Sequence, residues 1–270
     1  MPRRFTRLEL QDGRVCYAEL RQGTALLLDG APWCGGAPTG ERIAGVDSLG
    51  RGAGTRRLCP VEPSKILCVG RNYRAHAAEL GNPLPTEPLL FLKPPSSLLG
   101  PDGTLELPDP RLSTRVEHEV ELGIVVGRRA RRTSVERAGE AIFGYTVVGD
   151  VTARDLQSKD KQWTRAKGMD GFCPVGPVVV SDLSPSSLGI RCRVNDELRQ
   201  NGSTKDMVFS PEAIVAYASE TMTLEPGDLV ATGTPEGVGP LVDGDRLALE
   251  IDGIGELLVQ VRAAGAAERR

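Results

Sequence analysis

Aromatic residues are scarce. They make up 4% of the 270-residue chain, so the core has to be built from Val, Leu, Ile and Ala. Long apolar runs are missing as well. None approaches the ~20 residues that cross a bilayer, and the basic start, Met1-Pro2-Arg3-Arg4, is not followed by the apolar stretch of a signal peptide. The six cysteines are scattered and form no C-x-x-C pair, which argues against zinc clusters and disulfide staples. Buried structural thiols in a reducing cytoplasm are the expectation. A net charge of -3 offers no electrostatic reason for a nucleic-acid or membrane partner.

What is present is organised around short strands. Residues 1–60 read as a small β-rich module, with strands expected at Arg14–Leu20 and Thr24–Leu28 around the turn Arg21-Gln22-Gly23. A Gly/Pro-rich stretch from Gly30 to Pro60 reads as irregular. The main domain, 61–262, opens on the apolar run Lys65–Val69, and Val116–Val126 and Tyr145–Val148 are further strand candidates. Ser210-Pro211-Glu212 combines a cap, a proline and early negative charge, predicting a helix that continues to Met222. Residues 263–270 read as a frayed tail. Helices do not alternate with strands, so the fold class is mainly β with a few helices (α+β), not a doubly wound nucleotide-binding fold.

The most informative segment is Arg115–Val126. Side chains alternate across a strand, so Glu117, Glu119 and Glu121 share one face. A half-exposed strand with a charged outer face is one reading. Against it, three neighbouring carboxylates repel unless a cation lies among them, and the strand runs on into apolar Ile124-Val125-Val126. Buried carboxylates must be protonated, paired or metal-bound. Glu119 and Glu121, joined by Asp150 at the end of the next apolar run, would make a hard all-oxygen site for Mg²⁺ or Mn²⁺.

His76, one of two histidines, follows the buried run Lys65–Val69. In a helix it neighbours Glu79 at i,i+3, where the carboxylate would orient the imidazole as a general base. An ordinary surface pair is the alternative.

Together these segments resemble the fumarylacetoacetate hydrolase family, in particular its acylpyruvase-like and 2-hydroxyhepta-2,4-diene-1,7-dioate isomerase-like branch. The matching pieces come in family order. They are Gly70-Arg71-Asn72-Tyr73 with His76 and Glu79, then Phe91-Leu92-Lys93-Pro94, Glu117–Gly123, Asp150–Asp155 and Trp163–Lys167. Val194-Asn195 with Leu198-Arg199-Gln200, and finally Thr232–Gly239, complete the set over roughly residues 60–262.

The resemblance implies a mixed β-roll or sandwich that forms a homodimer. It also implies Glu119, Glu121 and Asp150 as metal ligands, His76 and Glu79 as a catalytic dyad, and Lys167 as the lysine that reaches substrate. Gln157 matches a glutamine beside the metal, Lys93 and Thr234 fall in motifs that line the pocket, Arg71 matches as a substrate contact or as a structural tie between loops, and Glu117 is left as an extra carboxylate. The expected reaction is hydrolysis of a C–C bond in acylpyruvate-type 2,4-diketo acids, with His76 activating water and Lys93 facing the oxyanion. Isomerisation, tautomerisation or decarboxylation of a 2-oxo acid would use the same enolate and is the alternative. Thr86–Leu99 and a loop at Leu156–Gln162 are candidates for the pocket wall.

A metal-binding protein of the same fold without catalysis is a further reading, opposed by the intact dyad and Lys167. Gly233–Gly239 lacks the Lys-Ser/Thr of a phosphate loop, and the basic run Arg128–Arg132 has no interleaved aromatics.

Overall fold

Aliphatic and β-branched runs of two to nine residues pair into three sheets in a computed structural model that describes residues 2–265 except 80 and 82. The largest sheet has twelve strands. Cys173–Ser181, Ile142–Gly149 and Val120–Val126 lie side by side at its centre, buried almost throughout. Leu229–Ala231, Ile66–Gly70 and the edge strand Leu89–Lys93 follow on one side. Arg3–Leu10, Val15–Arg21, Thr24–Leu28 and Pro38–Ala44 follow on the other.

A five-stranded sheet is ordered Glu197–Ser203, Gly189–Val194, Arg246–Ile251, Gly255–Arg262 and Thr104–Glu106. Both sheets feed one hydrophobic cluster, in which Leu122, Val147 and Val178 of the first join Leu247, Leu257 and Val259 of the second. Each such buried side chain contributes roughly 1.5–3 kcal/mol, so the sheet interface rather than the few helices holds the molecule together. Gly123 marks how closely these strands pack. A Cβ there would come within 2.4 Å of Val148 Cγ2.

The single strand expected at Val116–Val126 is two strands. Val116–His118 belongs to a small sheet with Thr152–Ala153 and Gly239–Pro240, and Val120–Val126 to the large one. The chain changes sheets at Glu119, whose carbonyl accepts from the Asp150 N–H at 2.9 Å. The break therefore puts Glu119 at a corner beside Asp150.

The N-terminal stretch is more regular than its composition suggests. Arg3–Leu10 is a strand that pairs with Val15–Arg21 and, through Arg3–Phe5, with Cys173–Ser181. Within the segment expected to be irregular, Pro38–Ala44 and Thr55–Leu58 are strands. Pro38–Ala44 is an exposed edge strand with its proline at the first position, where a missing N–H costs no ladder bond. Several of the few aromatics gather where this segment meets the main sheet. Phe5 and Trp33 lie with ring centroids 5.3 and 5.7 Å from that of Phe143, and Tyr17 lies 5.4 Å from Trp33.

The helix Pro211–Thr221 forms as expected, with Ser210 Oγ accepting from the Ala213 N–H and with Ile214, Val215 and Ala218 buried. None of the described helices is long and apolar enough to cross a membrane. All six cysteines are free; Cys68, Cys173 and Cys192 are buried, whereas Cys34 is exposed and Cys16 and Cys59 are half-buried. Residues 266–270 of the expected tail lie outside the described residues.

Candidate active site

Strand ends and short helices converge on one cavity of about 300 Å³. Eight of the ten residues expected to form a site line it: Arg71, His76, Glu119, Glu121, Asp150, Gln157, Lys167 and Thr234. Glu79 and Lys93 stand behind this surface.

The carboxylates form its floor. Glu119 from the strand break, Glu121 two residues on and Asp150 after the neighbouring strand are all buried, each with an oxygen within 4.8 Å of the others. They are not equally neutralised. Glu119 accepts from Arg154 Nη2 at 2.6 Å and from Lys167 Nζ at 2.9 Å. Asp150 accepts from Lys93 Nζ at 2.6 Å on one oxygen and from Lys167 Nζ on the other. Glu121 accepts from the Gly233 N–H at 2.7 Å.

Burial would raise the Glu119 pKa, but Lys167 and Arg154 outweigh it and hold this carboxyl below the usual carboxylate range. For Glu121, burial and its neighbours Asp150 and Glu119 all push the other way, leaving it well above that range. Lys167 is opposed by burial, yet Asp150 and Glu119 keep its ammonium firmly charged. A positive charge among the three would offset the carboxylate repulsion that raises Glu121. A set of three buried carboxylates, all oxygen donors, thus fits a hard divalent cation.

Opposite them stands the dyad. The helix Arg74–Glu79 places His76 Nδ1 3.1 Å from Glu79 Oε2, while Glu79 Oε1 accepts from the Gly237 N–H at 3.0 Å. The carboxylate is therefore pinned from behind as it holds the ring. With Nδ1 committed to Glu79, Nε2 is the nitrogen left to exchange a proton with a ligand.

Thr234 is fixed by donating to the Val120 carbonyl and accepting from Gln200 Nε2, both at 2.8 Å. Gln157 Oε1 accepts from Arg154 Nη1 at 2.6 Å. Lys93 does not face the cavity. Its ammonium is sealed behind Asp150 and also donates to the Phe172 carbonyl at 2.8 Å, so the expected place at an oxyanion is corrected to a place in the support of Asp150. Nor is Leu156–Gln162 a loop: the helix Arg154–Asp160 fills most of it and presents Gln157 and Ser158 to the cavity.

Arg154 was not singled out by the sequence as a site residue. Its guanidinium bridges Glu117 Oε2 at 2.7 Å, Glu119 and Gln157, and gives the extra carboxylate Glu117 a structural partner. Phe91 and Trp163 also went unassigned. Their rings meet edge to face at 5.1 Å, and Lys167 Nζ lies 5.1 Å from the Phe91 centroid and 6.0 Å from that of Trp163. Their positions at the head of Phe91–Pro94 and Trp163–Lys167, each shortly before a predicted site lysine, were the available signal.

A mainly β fold whose sheet corner carries a buried carboxylate triad facing a His–Glu dyad joins a candidate cation site and a candidate proton-transfer pair in one cavity. The chain belongs to the fumarylacetoacetate hydrolase family. Residues 65–262 match the family model "Fumarylacetoacetate (FAA) hydrolase C-terminal", and residues 3–47 match "Rv2993c-like, N-terminal". The mitochondrial oxaloacetate tautomerase FAHD1 of Arabidopsis thaliana is 46% identical over 204 residues, spanning 73% of this chain and 91% of its own. Oxaloacetate tautomerase YisK of Bacillus subtilis is 43% identical over 213 residues, 74% of this chain and 70% of its own. The crystal structure of 2-hydroxyhepta-2,4-diene-1,7-dioate isomerase from Mycobacterium marinum superposes with a TM-score of 0.87 at 40% identity, covering 97% of this chain and 99% of that one.

Proposed function

We propose that the protein is a divalent-cation-dependent isomerase or tautomerase of 2-oxo acids, with Mg²⁺ or Mn²⁺ held by Glu119, Glu121 and Asp150. The observation that carries this reading is the His76–Glu79 pair facing the carboxylate triad across one cavity. A cation at the triad would supply Lewis acidity, easing the development of negative charge on a keto oxygen.

The protein's own groups do the rest. His76, oriented by Glu79, moves a proton to or from the carbon next to the keto group. Lys167, buried and charged, gives the same oxygen a hydrogen-bond donor, and Phe91 and Trp163 keep water from its flank. Carbon–carbon hydrolysis, expected first from the sequence, also needs a donor for a tetrahedral oxyanion. Lys93 was the residue assigned to that task, and it is sealed behind Asp150. The names of the tautomerase and isomerase relatives support proton transfer over bond cleavage.

The test is to follow loss of the oxaloacetate enol absorbance, using metal-stripped protein with and without Mg²⁺, in parallel with release of pyruvate and acetate from acetylpyruvate. Cation-dependent acceleration of the first without the second is the expected result. Rapid release of both products from acetylpyruvate would return the assignment to hydrolysis.

A further inference from the structure

Glu117 is 1% exposed, does not line the cavity, and has no part in the proton transfer proposed above. A carboxylate taken out of water needs a compensating charge, and Glu117 has two. Its Oε1 accepts from Arg115 Nε at 2.6 Å and its Oε2 from Arg154 Nε at 2.7 Å. Register makes the second pair: Glu117 faces Thr152 and Val116 faces Ala153 across the small sheet, which brings Arg154 alongside. The Arg115 side chain is 64% exposed, so water screens it. Arg154 is buried, so its bond to Glu117 is the strong one.

That bond begins a buried series of alternating charge. Arg154 links Glu117 to Glu119, Lys167 links Glu119 to Asp150, and Lys93 closes the series behind Asp150. Each cation in it has a carboxylate to itself: Arg154 has Glu117, Lys167 has Glu119 and Lys93 has Asp150. Glu121 stands outside the series. Its side chain accepts from the Gly233 N–H, and no lysine or arginine bonds to it among the described residues. The surplus negative charge of the cavity floor is therefore that of Glu121. Glu119 is the contested member, because Arg154 and Lys167 both hold it and a divalent cation at the triad would need it too. With Glu117 ionised, Arg154 divides its attraction between two carboxylates. Without that charge, Arg154 would bear on Glu119 alone and cancel the surplus.

We propose that Glu117 is a charge-balancing residue for the cation site, offsetting Arg154 so that Glu119 stays available to a divalent cation. It touches neither cation nor substrate and acts through Arg154. The proposal rests on the cation site of the function given above and on none of its proton-transfer chemistry. It also accounts for a fully buried third glutamate in a segment where two would complete the triad with Asp150.

The test is calorimetric titration of Mg²⁺ or Mn²⁺ alone into metal-stripped wild type, Glu117→Gln, Arg154→Met and the double variant. Glu117→Gln should weaken binding by about 10–100-fold, the usual range when an outer partner of a metal ligand is altered. Arg154→Met should bind at least as tightly as wild type. The double variant should return to within about threefold of wild type, because removing both members of the pair restores the balance. A merely structural tie gives the opposite order: each single variant loses affinity and the double variant loses most. That order overturns the proposal, as does a Glu117→Gln affinity within about threefold of wild type. Should Glu117→Gln fail to fold alone, the double variant is compared with Arg154→Met, which should bind the cation about tenfold more tightly. Equal affinities there overturn the proposal. Wild-type protein that binds neither cation would overturn it together with the function above. The expected order of affinities in a protein without enol–keto turnover would refute that function and leave Glu117 in its role.

Discussion

Asp150 is gripped by two ammonium groups with different duties. Lys93 reaches it from the protein interior, and Lys167 reaches it from the cavity. Replacing Lys93 with Met should leave Asp150 short of a buried partner and lower stability by about 3 kcal/mol, read in a denaturant titration. His76→Ala should differ in kind: turnover down by ~10²–10⁴, with calorimetric binding of Mg²⁺ retained. Loss of both together would mean that the imidazole belongs to the cation site rather than to proton transfer. Glu119 and Glu121 were legible because charges two residues apart in an apolar run are anomalous, and Asp150 because it ends the next such run. Arg154 was not. Among 33 lysines and arginines, nothing local marks Arg154 as one of the few that are buried; its acceptors do, and two of them, Glu117 and Glu119, come from a distant stretch of chain. Lys93 misled for the converse reason: its motif sets its neighbourhood, but not which side of Asp150 its ammonium occupies.

Among the elements, legibility followed the source of order. The helix Pro211–Thr221 announces itself through Ser210 and Pro211, and Ser210→Ala should cost about 1 kcal/mol in thermal or chemical unfolding. A change below a few tenths would show that proline and tertiary packing define the helix start without the cap. Pro38–Ala44 and Thr55–Leu58 carry no such signal, because pairing with Thr24–Leu28 and Arg3–Leu10 makes them strands. The break at Glu119 was equally hidden. Period-two alternation continues unbroken through Glu117, Glu119 and Glu121, while the hydrogen-bond partners change from one sheet to another between them.

Across the whole molecule, the N-terminal strands are tied down by charge as well as by packing. Glu19, almost fully buried, accepts from Arg3 and Arg21 at 2.9–3.0 Å. The hydrogen bond from Arg3, opposed by burial and reinforced by Arg21, lowers its pKa from the ordinary 4.5 to about 2. The associated stability is complete above pH 4.5 and drains away as the pH falls toward 2. Both arginines are largely exposed, so the effect should be on the order of 1 kcal/mol. Glu19→Gln should lose it at neutral pH and converge on wild type near pH 2, which melting curves across that range would show. Identical pH profiles for the two proteins would remove the ion pair from the account.

The pairing of Arg3–Phe5 with Val179–Ser181 has a consequence for solubility. A chain begun at residue 61 would keep most of the main cluster, the triad and the dyad, yet the Val179–Ser181 end of a buried, valine-rich strand would lose its neighbour and be laid bare. Such a rim is a template for adding strands from other molecules. The shortened protein should elute as concentration-dependent aggregates on size exclusion, which would make the N-terminal segment a guard against polymerisation as much as a part of the fold.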